Sequence, residues 1–247
     1  GRFQAWGKVG FGIRANDHMD SVYNNYGVRY TRLYCDGKLV FASDVNNIPV
    51  SCNRMVNSWG DYDHFLHTKI WFMKSFIEPG NTLPILRAGA DRGIINFNQQ
   101  RDYHLRYAVS DAFGNQTVKE FTVHGEPQAI PSVAKPEGGV PLYCKKDNRI
   151  NADGVRLNIQ KGLLAKDGWL LMRTVPMGNA LSMGYSFSKA PYPLFNYAEI
   201  NIKAKDGIRN PEKLYIAARN SAAGGGPSAY CGGIYTNGWV KGRFREL

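Results

Sequence analysis

Val28-Arg29-Tyr30-Thr31-Arg32-Leu33-Tyr34-Cys35-Asp36-Gly37-Lys38-Leu39-Val40-Phe41-Ala42-Ser43 contains two runs rich in β-branched and aromatic residues, Val28 to Cys35 and Lys38 to Ser43, separated by Asp36-Gly37 alone. A two-residue Asp-Gly connection suits the turn that joins adjacent antiparallel strands, so this stretch predicts a β-hairpin. Asn237-Gly238 repeats the signal near the other end of the sequence. Between the two, turn chemistry recurs at Glu78-Pro79-Gly80-Asn81, at Asp111-Ala112-Phe113-Gly114-Asn115 and at Asp206-Gly207. Many short strands divided by such breaks point to an all-β chain of sandwich type.

Working outward, residue alternation supports the same reading. Val9, Phe11, Ile13 and Ala15 would face one way, with Lys8, Gly10, Gly12 and Arg14 facing the other. Tyr103, Leu105, Tyr107 and Val109 alternate with His104, Arg106, Ala108 and Ser110. In the second half Val155, Leu157 and Ile159 alternate with Arg156, Asn158 and Gln160, and Ile200, Ile202 and Ala204 with Asn201, Lys203 and Lys205. A period of two is the mark of a strand with one buried face. The single helical expectation falls on Asn53 to His67, where Met55, Val56, Trp59, Tyr62 and Leu66 recur at roughly helical intervals.

A length of 247 residues suits either one large all-β domain or two sandwich modules of ordinary size. Residues 128–138 fall in a proline-bearing stretch without periodicity, which reads as a linker between modules at 1–127 and 139–247. The longest apolar runs, such as Trp169-Leu170-Leu171-Met172, are too short to span a bilayer, so no membrane-crossing helix is expected. Gly1-Arg2-Phe3-Gln4 lacks an initiator Met and a signal-peptide pattern, and is expected to be a processed or trimmed end; the natural chain is expected to continue past Leu247.

The net charge of +11 is unevenly placed, with 14 Lys/Arg against 12 Asp/Glu in residues 1–127 and 17 against 8 in residues 128–247. The second module is therefore the basic one. A basic surface favours polyanions in general, and a merely solubilising surface is the alternative.

Cys35, Cys52, Cys144 and Cys231 form no C-x-x-C pair; disulfides Cys35–Cys52 and Cys144–Cys231 and four buried thiols both fit the count. His64 and His67 beside Asp61 and Asp63 supply two metal donors without a third, so surface or capping roles are expected. His18 with Asp17, Asp20, Asn24 and Asn25 offers oxygens but no calcium-loop spacing. Ser186-Phe187-Ser188-Lys189 fits S-x-x-K without its companion K-T-G, and Gly224-Gly225-Gly226 reads as a loop. No catalytic residue, no metal ligand and no cofactor is expected. Tyr185, Phe187, Tyr192, Phe195 and Tyr197 crowd one prolyl segment of the basic half. Exposed, those rings would stack on sugars or bases, the first as in a carbohydrate-binding module; buried, they would be sandwich core.

One region carries a resemblance. Gly7-Lys8-Val9-Gly10-Phe11-Gly12-Ile13-Arg14-Ala15, Tyr26-Gly27-Val28, Leu33 to Phe41, and Asn57 with Asp61-Tyr62 come first. Pro79-Gly80-Asn81-Thr82-Leu83-Pro84, Asp91-Arg92-Gly93-Ile94-Ile95-Asn96-Phe97 and Ser110-Asp111-Ala112-Phe113-Gly114-Asn115 follow. This order resembles the immunoglobulin-like region that follows the peptidase domain in lysostaphin-type zinc endopeptidases of the Bacteroidota. The second half is similar, in order and composition, to the next sandwich module of the same proteins. The resemblance implies two consecutive immunoglobulin-like β-sandwich modules, periplasmic or otherwise in the cell envelope. It also implies an N-terminal peptidase domain outside this sequence, and peptidoglycan or another envelope polymer as partner; nucleic acid is not expected. That family's zinc ligands come from H-x-x-x-D and H-x-H elements. His64-Phe65-Leu66-His67 has the wrong spacing for the second, and His18 lacks an Asp four residues on, so no ligand carries over.

Overall fold

The computed structural model describes residues 2–18, 23–178, 180–187, 193–219 and 227–246. The fold is all-β, with 46% of residues in strands and 9% in helix. Two compact units, 1–134 and 135–247, divide the chain inside its proline-bearing stretch.

Unit 1 is built on a six-stranded sheet. Its strands are β1 (Arg2–Ala5), β2 (Tyr30–Cys35), β3 (Lys38–Asp44), β4 (Leu86–Ala88), β5 (Asp102–Ser110) and β6 (Gln116–Gly125). They lie in the order β1-β6-β5-β2-β3-β4. Neighbours run antiparallel except β1, which pairs parallel with β6 through Arg2↔Thr122 to Ala5↔Gly125. The hairpin forms as expected, with Asp36 at φ 48° and Gly37 at φ 77°, the paired positive values that a type I′ turn needs. Past the turn, Tyr34 faces Leu39 while Leu33 faces Phe41, so Val40 is the extra residue of a bulge.

One face of this sheet buries Leu33, Phe41, Leu105, Tyr107 and Val123 against Phe97, Ile95 and Trp59. Phe97 and Ile95 sit on a ribbon that pairs Ile95–Phe97 with Gly7–Val9. The alternation of Val9, Phe11, Ile13 and Ala15 with exposed Lys8, Gly10, Gly12 and Arg14 is present. The helical stretch divides into a 3-10 turn Val50–Met55, α1 (Val56–Trp59) and α2 (Tyr62–Thr68). It breaks because Gly60 is extended, after which the Asp61 carboxylate accepts the His64 N–H at 3.2 Å and caps α2.

The motifs that carry the resemblance hold structural positions. Asp111 accepts the N–H groups of Phe113 (2.8 Å) and Asn115 (2.9 Å), closing its loop. Arg92 stands at φ 53° in the left-handed region, and its guanidinium donates to the carbonyls of Ile77 (2.9 Å), Glu78 (2.7 Å) and Asn81 (3.1 Å). Buried Asn81 in turn donates to the Met55 carbonyl and accepts the Leu83 N–H.

Unit 2 is built on a five-stranded antiparallel sheet. It contains β7 (Asn148–Ala152), β8 (Val155–Ile159), β9 (Pro193–Lys203), β10 (Ile234–Thr236) and β11 (Trp239–Glu246), ordered β7-β8-β9-β11-β10. Asn237 (φ 49°) and Gly238 (φ 82°) form the second type I′ turn. The core face buries Ile150, Val155, Leu157, Ile159, Ile200, Val240 and Phe244 beneath Leu142, Leu164, Leu170, Leu194 and Ile216.

All four cysteines are free thiols. The alternative of disulfides Cys35–Cys52 and Cys144–Cys231 is thereby corrected. Burial first, then the Asp36 carboxylate, pushes the Cys35 thiol up to about 11, and burial also raises Cys144. No helix of the described residues is long and apolar enough to cross a membrane.

Candidate functional site

Because Val155, Leu157, Ile159 and Ile200 point into the core, their alternates point out of the sheet. Register then brings together residues far apart in sequence. Asn151 stands opposite Arg156, Arg156 opposite Asn201, and Asn201 opposite Lys241. The next row runs Arg149, Asn158, Glu199, Arg243, and Lys203 faces Trp239. Asparagine amides are thus set among cations on one face, where Arg149, Arg156, Lys203, Arg243 and Arg245 are exposed.

Two contacts hold this face in shape. The Arg156 guanidinium lies 3.9 Å over the Trp239 ring, and that of Arg245 lies 4.4 Å over Tyr197. Lys241 Nζ meets the Glu199 carboxylate at 2.6 Å, while among the described residues no ion pair engages Arg149, Arg156, Lys203 or Arg243. The surplus positive charge of the second half therefore stays uncompensated here.

Two open concavities mark the face. One, of about 630 Å³, is lined by Asn151, Asp153, Gly154, Arg156, Lys203 and Trp239. The other, of about 230 Å³, is lined by Asn158, Gln160, Asn196, Tyr197, Glu199 and Arg243. Tyr185 supports the rim of the first, its hydroxyl donating to the Asp153 carbonyl at 3.0 Å. Gly154 makes that approach feasible, since a Cβ there would sit 2.1 Å from the Tyr185 oxygen. Burial raises the Tyr185 hydroxyl above its ordinary pKa, with Asp153 adding to the effect.

The aromatic segment singled out in the sequence is dispersed by this arrangement. Tyr197 alone of its described members stands exposed on the outward face. Phe187 is half-buried and stacks on Phe244 at 6.2 Å. Phe195 is 6% exposed, and this corrects its place as a ligand-stacking ring. A register shift in β9 between Pro193 and Ala198 turns Leu194 and Phe195 both inward, which strict alternation would forbid. Tyr192 lies outside the described residues.

The remaining candidates do not converge. His64 packs edge-on against Phe72 at 5.0 Å, whereas His67 Nδ1 contacts the Asp63 carbonyl at 2.8 Å. Among the described residues no three His, Cys, Asp or Glu side chains gather as a metal would require. Asp17 and His18 pair with Tyr26 and Asn25 in a two-stranded ribbon, and Asp20 is outside the described residues. Ser186 is exposed on its strand, while Lys189 and Gly224-Gly225-Gly226 fall outside the described residues.

Residues 140–247, which include the whole five-stranded sheet, match the Zu5-like domain family. The match ends there. No curated protein and no solved structure is matched by the chain. Within the Zu5-like segment, Arg156, Lys203 and Trp239 went unnoticed in the sequence, although the first two occupy the polar phases of alternations read there.

Proposed function

We propose that this chain is a non-catalytic accessory region of a cell-envelope zinc endopeptidase, whose second unit holds anionic envelope material on the outward face of its sheet. The observation that carries the reading is the row of cations on that face with no carboxylates paired to Arg149, Arg156, Lys203 or Arg243 among the described residues. An uncovered basic sheet attracts a polyanion and gains little as a stabiliser of its own fold. The motifs of residues 7–125 support the parent enzyme, an immunoglobulin-like character for unit 1, and a periplasmic or envelope setting; the order and composition of the second half extend that character to unit 2. Their structural roles at Asp111 and Arg92 suit a scaffold that presents a neighbouring domain to its substrate.

The test is co-sedimentation of the full chain with purified peptidoglycan, with soluble peptide release followed in parallel. Expected is salt-sensitive pelleting that falls about tenfold in affinity in the Arg156→Ala/Arg243→Ala double variant, with no peptide released. Hydrolysis of wall cross-links by this chain alone, or pelleting indifferent to the double variant, overturns the reading.

A further inference from the structure

The anion-binding reading leaves open what kind of anion the face takes, and the side-chain chemistry discriminates. A guanidinium held flat over an aromatic ring keeps its N–H edges directed outward, ready for a bidentate meeting with a carboxylate. The Arg156 guanidinium carbon stands 3.9 Å over the Trp239 ring, a separation that suits such a stack. The same stacking occupies a face of that ring, so the ring is a support for the arginine in place of a free platform for a base. Tyr197 carries Arg245 in the same way.

Between these supports stand amides that can both donate to and accept from the hydroxyls of a sugar. Asn201 lies between Arg156 and Lys241, and Asn158 lies beside Glu199. An amide donates and accepts at once, matching a hydroxyl, whereas phosphate oxygens only accept. The Glu199 carboxylate, paired with Lys241, also only accepts and suits a hydroxyl donor. The pattern of cation, amide, carboxylate, cation is complementary to a polymer with sparse acidic groups and many hydroxyls.

We propose that the outward face of unit 2 binds a linear, carboxylate-bearing polysaccharide running along β9 and β11, with arginine forks on its carboxylates and amides on its hydroxyls. From Trp239 to Arg245 the strand covers about 20 Å, the reach of a short oligosaccharide. The proposal rests on the anion-binding reading and narrows it.

Calorimetric titration of the full chain tests it with three probes: hexagalacturonate, the same oligomer with its carboxyls reduced to alcohols, and an oligodeoxythymidylate of matched length. Expected is binding of hexagalacturonate, with the reduced oligomer and the oligonucleotide each at least about tenfold weaker. Arg156→Lys keeps the charge but loses the fork and is expected to weaken hexagalacturonate by about fivefold or more. Asn201→Ala is expected to weaken it without changing the salt dependence, and circular dichroism verifies the fold of each variant. Equal binding of uronate and oligonucleotide, with Arg156→Lys neutral, overturns the polysaccharide while leaving a general polyanion face. No binding of any probe, together with failure to pellet with peptidoglycan, overturns both.

Discussion

Arg92 shows how much one side chain can organise. A left-handed backbone at a non-glycine residue costs of the order of 1 kcal/mol, yet here it aims a guanidinium at three carbonyls of the Ile77–Asn81 turn. Replacing Arg92 by Ala leaves those acceptors without their donor, and unit 1 is expected to lose about 2–4 kcal/mol. Arg92→Gly removes the same donor but relaxes the backbone, so its loss should be smaller by about 1 kcal/mol. Urea midpoints of the two variants check both the size and the order. Nothing in Asp91-Arg92-Gly93 as a string reveals this role, because the partners lie eleven to fifteen residues away and the backbone sign of Arg92 is set by the packing of its turn.

At the scale of elements, the Asp36-Gly37 hairpin is both the most legible feature and a source of pH dependence. Its turn is tied to β5: Asp36 Oδ1 accepts the His104 N–H at 2.9 Å, and Oδ2 meets Arg101 at 2.9 Å. Partial burial would raise the Asp36 pKa, but the His104 amide and the Arg101 guanidinium outweigh it and hold the carboxyl below its usual value. A depressed carboxylate favours the folded state above its unfolded pKa of about 3.9 and surrenders that contribution as pH falls through the lower folded value. Thermal melting of unit 1 should therefore drop below about pH 4, and Asp36→Asn should flatten that acid limb. Asp111, lowered chiefly by its Asn115 amide contact, acts in the same direction. Hairpins and alternating strands were readable because their signals are local. The Phe195 bulge was not, since a shift of register appears only once β9 has a partner.

At the scale of the molecule, each unit carries its own core, with Leu33, Phe41 and Leu105 in one and Val155, Leu157 and Leu170 in the other. Leu33→Ala should cost unit 1 about 2–5 kcal/mol and leave the unfolding of unit 2 where it was; Val155→Ala should do the reverse to a lesser extent. Calorimetry or two-probe denaturation distinguishes this from a single shared transition. All-β architecture and the basic second half were legible from pattern and composition. The candidate face was not, for Arg156, Asn201 and Lys241 meet only through strand pairing across some 40 residues each. Aromatic crowding drew attention to Tyr197, which carries Arg245, but not to Trp239, the ring that carries Arg156.

The parallel pairing of β1 with β6 carries a mechanical meaning. Arg2 opens one strand beside Thr122, and Gly125 closes the other beside Ala5. Tension applied to unit 1 through Arg2 and Gly125 pulls these strands lengthwise past one another, so the bonds between them share the load together instead of parting one at a time. Along that axis unit 1 is built to resist stretching as a lap joint does, a useful property in any segment that must transmit a pull between its neighbours.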